Sequence, residues 1–362
     1  MHSRSMGCKH SHANRRGECV KFENDARGLI VNSVKLEPNT FFRRIPLAPH
    51  QMRDRVTRTE DAIVLCHLGV PRLDRDQWSL TIDGLVEHPL ALRFDKLLRY
   101  PKTELTSFHQ CAGSPLQPFE PTRRVCNVTW GGARLVDLLA DCRPSPAARY
   151  IWSRGADFGK FSGAVVDAYV KDLPIARVAA DVLIAYEMNG SALAAEHGFP
   201  ARLVVPGFYG TNSVKWLMGI TLAESRATGP FTTRWYNDPL LDSAGQETGE
   251  TTPVWAIAPE SLIVSPAPDE MLEASAEREI WGWAWADSGV ASVEVRAGDQ
   301  AAWLPAALEP PRGREWQRFS ISWSPQHPGA ATLASRATSK AGIVQPISGR
   351  RNAIHGVPVN IV

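Results

Sequence analysis

The sequence contains no apolar run that approaches the length of a bilayer span, so it predicts no transmembrane helix. It also has no Cys-x-x-Cys pair, which argues against a zinc ribbon or a thioredoxin-type redox motif. Its six cysteines, at positions 8, 19, 66, 111, 126 and 142, form no disulfide framework in a chain of 362 residues. Neither charge dominates: 40 basic and 38 acidic residues leave a net charge of +2, without the strongly basic face that a nucleic-acid partner would need. Gly-x-x-x-x-Gly-Lys-Ser/Thr and Gly-x-Gly-x-x-Gly are both absent, so no P-loop and no dinucleotide fingerprint is present. The N-terminus lacks an apolar h-region. Arg15-Arg16 is followed by Gly17-Glu18-Cys19-Val20-Lys21-Phe22-Glu23, too charged for a twin-arginine signal. The expected location is therefore the cytoplasm, or the periplasm if the true start differs.

What the chain does contain is enough material for two cores, and its character changes near residue 250. All six cysteines precede residue 143, while seven of the twelve tryptophans lie at or after Trp255. The polar, Gly- and Thr-rich stretch 242–253 between these zones reads as a linker. The division is thus a disordered extension over 1–27, a first domain over 28–241, the linker, and a second domain over 254–362. In the extension, Cys8, His10, His12 and Cys19 have metal-binding chemistry but read as part of a polar tail.

The first domain mixes strands and helices and is read as α+β. Trp78–Gly84 alternates as a strand does, and Leu135, Leu138 and Leu139 recur at helical spacing. Val182–Tyr186 reads as a buried strand with Asn189-Gly190 as a hairpin turn after it, and Ala201–Val205 as another strand. The second domain shows strands only. Trp281, Trp283 and Trp285 share one face of a strand, with Ile280, Gly282 and Ala284 on the other, and similar short alternating segments suggest a β-sandwich. The tryptophan stripe is read as sandwich core rather than as a binding platform.

Two segments carry candidate chemistry. Cys111 lies in Ser107-Phe108-His109-Gln110-Cys111-Ala112-Gly113, a thiol among polar residues with a small residue and a glycine after it, so a bulky group can approach the sulfur. A free cysteine on its own is more often a small buried hydrophobe. The second segment runs from His197-Gly198-Phe199-Pro200-Ala201-Arg202 through Val205-Pro206-Gly207 to Gly210-Thr211-Asn212-Ser213-Val214-Lys215-Trp216. Arg202 offers a planar fork suited to phosphate, Lys215 a mobile point charge, and the glycine-bearing loop a row of N–H groups. On the residues alone, a phosphate site and surface charges beside an ordinary strand are equal readings.

Together, Cys111-Ala112-Gly113, Ala185-Tyr186-Glu187-Met188-Asn189-Gly190, His197-Gly198-Phe199-Pro200-x-Arg202 and Val214-Lys215-Trp216 resemble the sulfite oxidase family. The likeness runs from about Gly28 to the C-terminus, where Asn352–Val359 is similar to the family's last strand. The resemblance implies molybdenum on one pyranopterin dithiolene (molybdopterin), with a single protein thiolate as ligand. It also implies an α+β cofactor domain followed by an immunoglobulin-like sandwich that forms a homodimer. By position, Cys111 matches the metal ligand. His67, Asp157, His197, Arg202, Ser213 and Lys215 match cofactor-binding positions, and Tyr236 an active-site tyrosine, for which a half-buried aromatic in a connecting loop is an equal reading. Leu65 and Cys66 stand where the family has arginine and asparagine, and Ser114-Pro115-Leu116 where it has Asn-Arg-Arg. The missing guanidinium groups remove contacts expected to hold a dianionic substrate, and Arg123, Arg124 and Arg234 are candidate replacements.

The resemblance implies two-electron oxygen-atom transfer, by default oxidation of sulfite to sulfate. No Cys-x-x-Cys-His haem motif occurs, so electrons are expected to pass to a separate acceptor, a c-type cytochrome. One alternative keeps the cofactor and changes the substrate to a small S- or N-oxide or another sulfur compound. The alternative from another class is a cofactor-free interaction protein.

Overall fold

Alternating apolar residues build the first half of the molecule. In the strand Ser79–Gly84, Leu80 and Ile82 are fully buried while Thr81 and Asp83 face outward. The computed structural model describes residues 34–44, 46–113, 123–242, 245–298, 301–347 and 351–362. The N-terminal Cys8, His10, His12 and Cys19 group and the departure at Ser114-Pro115-Leu116 lie outside the described residues. One five-stranded sheet has the order Val170–Pro174, Tyr150–Gly155, Leu217–Ala223, Ser79–Gly84, Leu90–Arg93. A second joins Ser191–Ala192, Leu183–Met188, Val125–Arg134 and Lys102–Gln110 in that order, with Arg202–Val204 also paired to Leu183–Met188. The helix Leu135–Cys142 presents Leu135, Leu138, Leu139 and Cys142 to the core that both sheets share.

Sheet dominates this half more than an α+β reading suggests. Among the described residues the α-helical segments are Phe94–Leu97, Leu135–Cys142 and Pro230–Thr233. The Asn189-Gly190 turn forms as expected, with both residues at positive φ and Met188 paired with Ser191.

The second half is a two-layer sandwich. A sheet of Glu260–Ser265, Arg278–Trp285, Gln317–Trp323 and Ala307–Leu308 faces one of Met271–Leu272, Gly356–Ile361, Gly329–Ser339, Val290–Ala297 and Leu304–Pro305. Ile263, Ile280, Ala284 and Phe319 from the first layer meet Val293, Leu333, Ala337 and Val357 from the second. Gly282 permits close pairing here, because a Cβ at that position would lie 1.9 Å from the Leu262 carbonyl oxygen.

Two expectations are corrected. The tryptophan stripe, buried at Trp283 and Trp285 and half-buried at Trp281, is not sandwich core. Trp283 and Trp285 pack with Met52, Phe108, Val125, Tyr209 and Trp316, between the two halves. Both faces of Arg278–Trp285 are covered, the small residues by the opposing sheet and the indoles by the first half, so alternation alone did not tell the two apart. The stretch 242–253 is not an irregular linker either. Glu247–Pro253 pairs antiparallel with Asn237–Leu241 in an exposed two-stranded ribbon, its run of threonines being well suited to strand.

Candidate active site

The strand Lys102–Gln110 ends one residue before Cys111, and the chain turns there. The Cys111 N–H donates to the Arg124 carbonyl at 2.8 Å, and the Gly113 N–H donates to the Cys111 sulfur at 3.3 Å. The sulfur opens on a cleft of about 680 Å³, whose walls include all eight residues singled out from the sequence. His67 follows the strand Val64–Cys66, and Asp157 follows Tyr150–Gly155. His197 closes a single turn, Ala195–His197. Arg202 opens the strand Arg202–Val204. Ser213 and Lys215 follow the turn Gly210–Asn212, and Tyr236 follows the helix Pro230–Thr233. Two glycines let these segments converge. A Cβ on Gly198 would crowd Arg202 and Lys215 at 3.1 Å, and one on Gly210 would meet His109 at 3.0 Å.

Uncompensated positive charge marks one end of the cleft. Arg202 is 4% exposed, its guanidinium 4.9 Å from the Trp130 ring centre, and it donates to the His197 and Ser213 carbonyls at 3.0 Å each. Burial pulls its pKa down to about 10. Lys215 lies 4.4 Å from the Trp216 ring centre and donates to Cys66 Sγ at 2.9 Å, Glu196 O at 2.9 Å and Leu65 O at 3.1 Å. Neither cation has an ion-pair partner among the described residues. The Ser213 hydroxyl accepts the Val205 N–H at 3.0 Å, and His197 Nε2 is buried without a hydrogen-bond partner among the described residues. Desolvation, aided by Arg202 and Lys215, holds His197 at about 4.

The other end is aromatic. His67 lies among Phe161, Tyr169, Phe231 and Tyr236, with ring centres 4.8 to 5.9 Å away, and burial holds its pKa at about 4. His67 Nε2 is 2.6 Å from the Tyr236 hydroxyl. The same burial raises the Tyr236 phenol, so both groups are neutral and one proton lies between the phenol oxygen and Nε2. Tyr236 sits at φ +60°, a left-handed conformation rare for a tyrosine. Burial raises Asp157 to about 7 and also raises the Cys111 thiol, the latter opposed by Arg124 and Arg351.

Some residues of the cleft were not singled out from the sequence. His109, two positions before Cys111 on an alternating strand, also lines it, and that spacing was a usable signal. Arg351, not itself a cleft residue, was hidden by distance along the chain: it braces the turn after Cys111 by donating to the Ala112 carbonyl, and pairs with Asp238 at 2.8 Å. The three candidate replacement arginines separate clearly. Arg123 is fully buried, 3.2 Å from Glu260 and donating to the Ala353 carbonyl, so it faces the second half and not the cleft. Arg234 is exposed and stacks 5.4 Å from the Trp235 ring centre. Only Arg124 lies beside Cys111, donating to the Gly113 carbonyl at 2.6 Å.

Comparison with known proteins gives a consistent picture. Residues 67–231 match the family model described as an oxidoreductase molybdopterin binding domain. The chain is 32% identical to the mitochondrial sulfite oxidase of Homo sapiens over 278 residues, 71% of this chain and 49% of that one. It is 30% identical to the sulfite oxidase of Gallus gallus over 314 residues, 80% of this chain and 66% of that one. The chain therefore spans about half the length of the mammalian relatives it matches. The structure of the sulfane dehydrogenase SoxCD from Paracoccus pantotrophus superposes with a TM-score of 0.72 at 26% identity, covering 95% of this chain and 90% of that one.

Proposed function

The chain belongs to the sulfite oxidase family of molybdopterin-binding oxidoreductases, and on that footing we propose that it oxidises a small sulfur compound, sulfite by default, and passes the electrons to an external acceptor. One observation carries the reading: the Cys111 thiol, the buried Arg202 and the half-buried Lys215 line a single cleft, and neither cation has an ion-pair partner among the described residues. That wall fits the cofactor. Cys111 would be the thiolate that holds the metal, while Cys66 on the same wall is already engaged by Lys215; burial raises the Cys111 thiol, and a bound metal cation would supply the countercharge that favours its thiolate. Among the described residues no cluster of three or more His, Cys, Asp or Glu could hold a metal, which suits a metal whose other ligands come with its cofactor. Arg202, Lys215 and the unpartnered His197 Nε2 would hold the phosphate and pterin end, with Ser213 and Asp157 beside them.

Molybdenum on the pyranopterin dithiolene would supply two-electron redox chemistry and oxygen-atom transfer. The protein's own part is to position and to manage protons. The Tyr236 hydroxyl and His67 form a two-member hydrogen-bonded chain that can pass a proton to or from a group in the cleft, and the surrounding aromatic rings exclude water. The acceptor is proposed to be a c-type cytochrome. The sandwich is proposed to be immunoglobulin-like and to pair two copies of the chain.

Leu65 on the cleft wall favours a second reading, in which the substrate is a less charged S- or N-oxide or another sulfur compound. Metal and pterin analysis followed by a substrate panel tests both. About one molybdenum per chain, lost in Cys111→Ser, is the expected result; none, in a host that makes the cofactor, overturns the enzyme readings. Sulfite turnover with a micromolar KM would overturn the second.

A further inference from the structure

A second groove, of about 660 Å³, shares Ile63, Leu65 and Cys111 with the cleft. Arg43, Arg44 and Arg124 line it, and among the described residues no carboxylate does. One of the three charges is already used, since Arg44 pairs with Glu196 at 2.9 Å. Arg43 and Arg124 have no ion-pair partner among the described residues. Their positions follow from strand register. In the ladder between Phe42–Arg44 and Val64–Cys66, Arg43 lies directly opposite Leu65, so both side chains leave the same face. In the ladder between Lys102–Gln110 and Val125–Arg134, Gln110 pairs with Val125, and the next step brings Arg124 opposite Cys111.

We propose that this groove is an anion-binding channel to Cys111, in which Arg124 holds the anionic group of the substrate beside the thiol and Arg43 draws it in from the mouth. The substrate class is accordingly a sulfur oxyanion, or a larger sulfur compound with an anionic end. The two guanidiniums differ in what they contribute. Arg43 is exposed, so its charge is screened and acts mainly on the rate of approach. Arg124 is half-buried and its planar fork meets an oxyanion directly. Apolar Ile63 and Leu65 on the shared wall keep water from competing at the point where groove and cleft join.

The proposal rests on the reading of Cys111 as the reacting centre, but its test does not depend on turnover. Sulfate is titrated into the purified protein by calorimetry, and molybdenum is measured on the same samples. Arg124→Met is expected to weaken sulfate about tenfold or more, the loss of one charge-assisted contact. Arg43→Met is expected to weaken it only a few-fold and to flatten its dependence on salt. Arg44→Met, whose charge is spent on Glu196, is expected to have the smallest effect. In turnover of sulfite, Arg124→Met should raise KM more than it lowers kcat. Arg124→Lys, which keeps the charge, should restore part of the affinity and so separates lost charge from a disturbed loop. Undiminished sulfate binding in both Arg124→Met and Arg43→Met, or no binding by the parent protein at millimolar sulfate, would overturn the proposal. Protein without molybdenum that still binds sulfate through Arg124 would leave the channel standing and remove the redox reading.

Discussion

Asp157 and Arg202 show how much a single buried charge decides. Asp157 is 4% exposed and held at about 7, against about 3.9 for a free aspartate. Between those values the native protein keeps a proton that the unfolded chain has released, so the stability this group contributes falls as pH rises towards 7. In protein without cofactor, Asp157→Asn is therefore expected to raise the melting temperature at about pH 8 by roughly three times as much as at about pH 5; equal shifts at both would contradict the assignment. Arg202 has a double role. Sequence favours a pure phosphate ligand, but the structure also ties its guanidinium to two backbone carbonyls and stacks it on Trp130. Arg202→Ala should lose cofactor and, in addition, cost on the order of 3 kcal/mol of stability, because both carbonyls are left buried without donors. Denaturant titration alongside pterin analysis separates the two losses. Chemistry-bearing types were legible here because few residue types bind phosphate or metal. Their local hydrogen bonds were not, since carbonyl partners leave no mark on side-chain identity.

At the scale of elements, the strand Lys102–Gln110 sets the position of the thiol, and its last residue is fastened from outside its own sheet. Gln110 is fully buried; its amide donates to Asn352 Oδ1 at 2.8 Å and to Glu260, and its carbonyl accepts Trp285 Nε1–H at 2.9 Å. Trp285→Phe keeps the ring packing but leaves that carbonyl without a donor, at a cost of about 1–2 kcal/mol. It should lower the denaturation midpoint and reduce molybdenum content although the indole is not part of the cleft; unchanged metal content would show that Gln110 does not hold the cysteine turn. Strands were the most legible elements, because period-two alternation survives wherever one face is buried. The tryptophan stripe misled for the same reason. Alternation states that a face is covered and not by what, and Arg278–Trp285 is covered on both. The stretch 242–253 misled because glycine and threonine serve loops and exposed ribbons alike.

For the molecule as a whole, opposing proton equilibria shape stability. His67 and His197 are held at about 4 and His355 at about 3. The unfolded chain takes up those protons near 6.5, so their contribution is full above about pH 6.5 and is lost as pH falls towards 4. Asp157 and Glu260, both raised to about 7, act with the opposite sign across the same range. His109, which burial also holds well below its usual range, joins the histidines, and Asp287, which burial raises, joins the carboxyls. The four histidines outweigh the three carboxyls, and stability falls on the acid side of about pH 6.5. A thermal-melting series across pH checks this, and a melting temperature that holds or rises as pH falls below about 6.5 would contradict it. The change of character near residue 250 was legible from where its cysteines and tryptophans fall. The way the parts are joined was not, since Arg123–Glu260 and Arg351–Asp238 pair residues more than a hundred positions apart.

Those joints change how genetic data on this protein should be interpreted. Arg351 reaches the Ala112 carbonyl, and Trp285, Glu260 and Asn352 hold Gln110, so the residues on either side of Cys111 are gripped by the sandwich. A random screen for loss of turnover would then recover lesions in the C-terminal third beside those in the cleft, and a map of inactive alleles would not outline the catalytic pocket. Nor would the sandwich serve as a neutral module for exchange with that of a relative, because a donor lacking these contacts would release the thiol turn. The pair of halves is in this sense one hereditary unit, whose parts must change together or not at all.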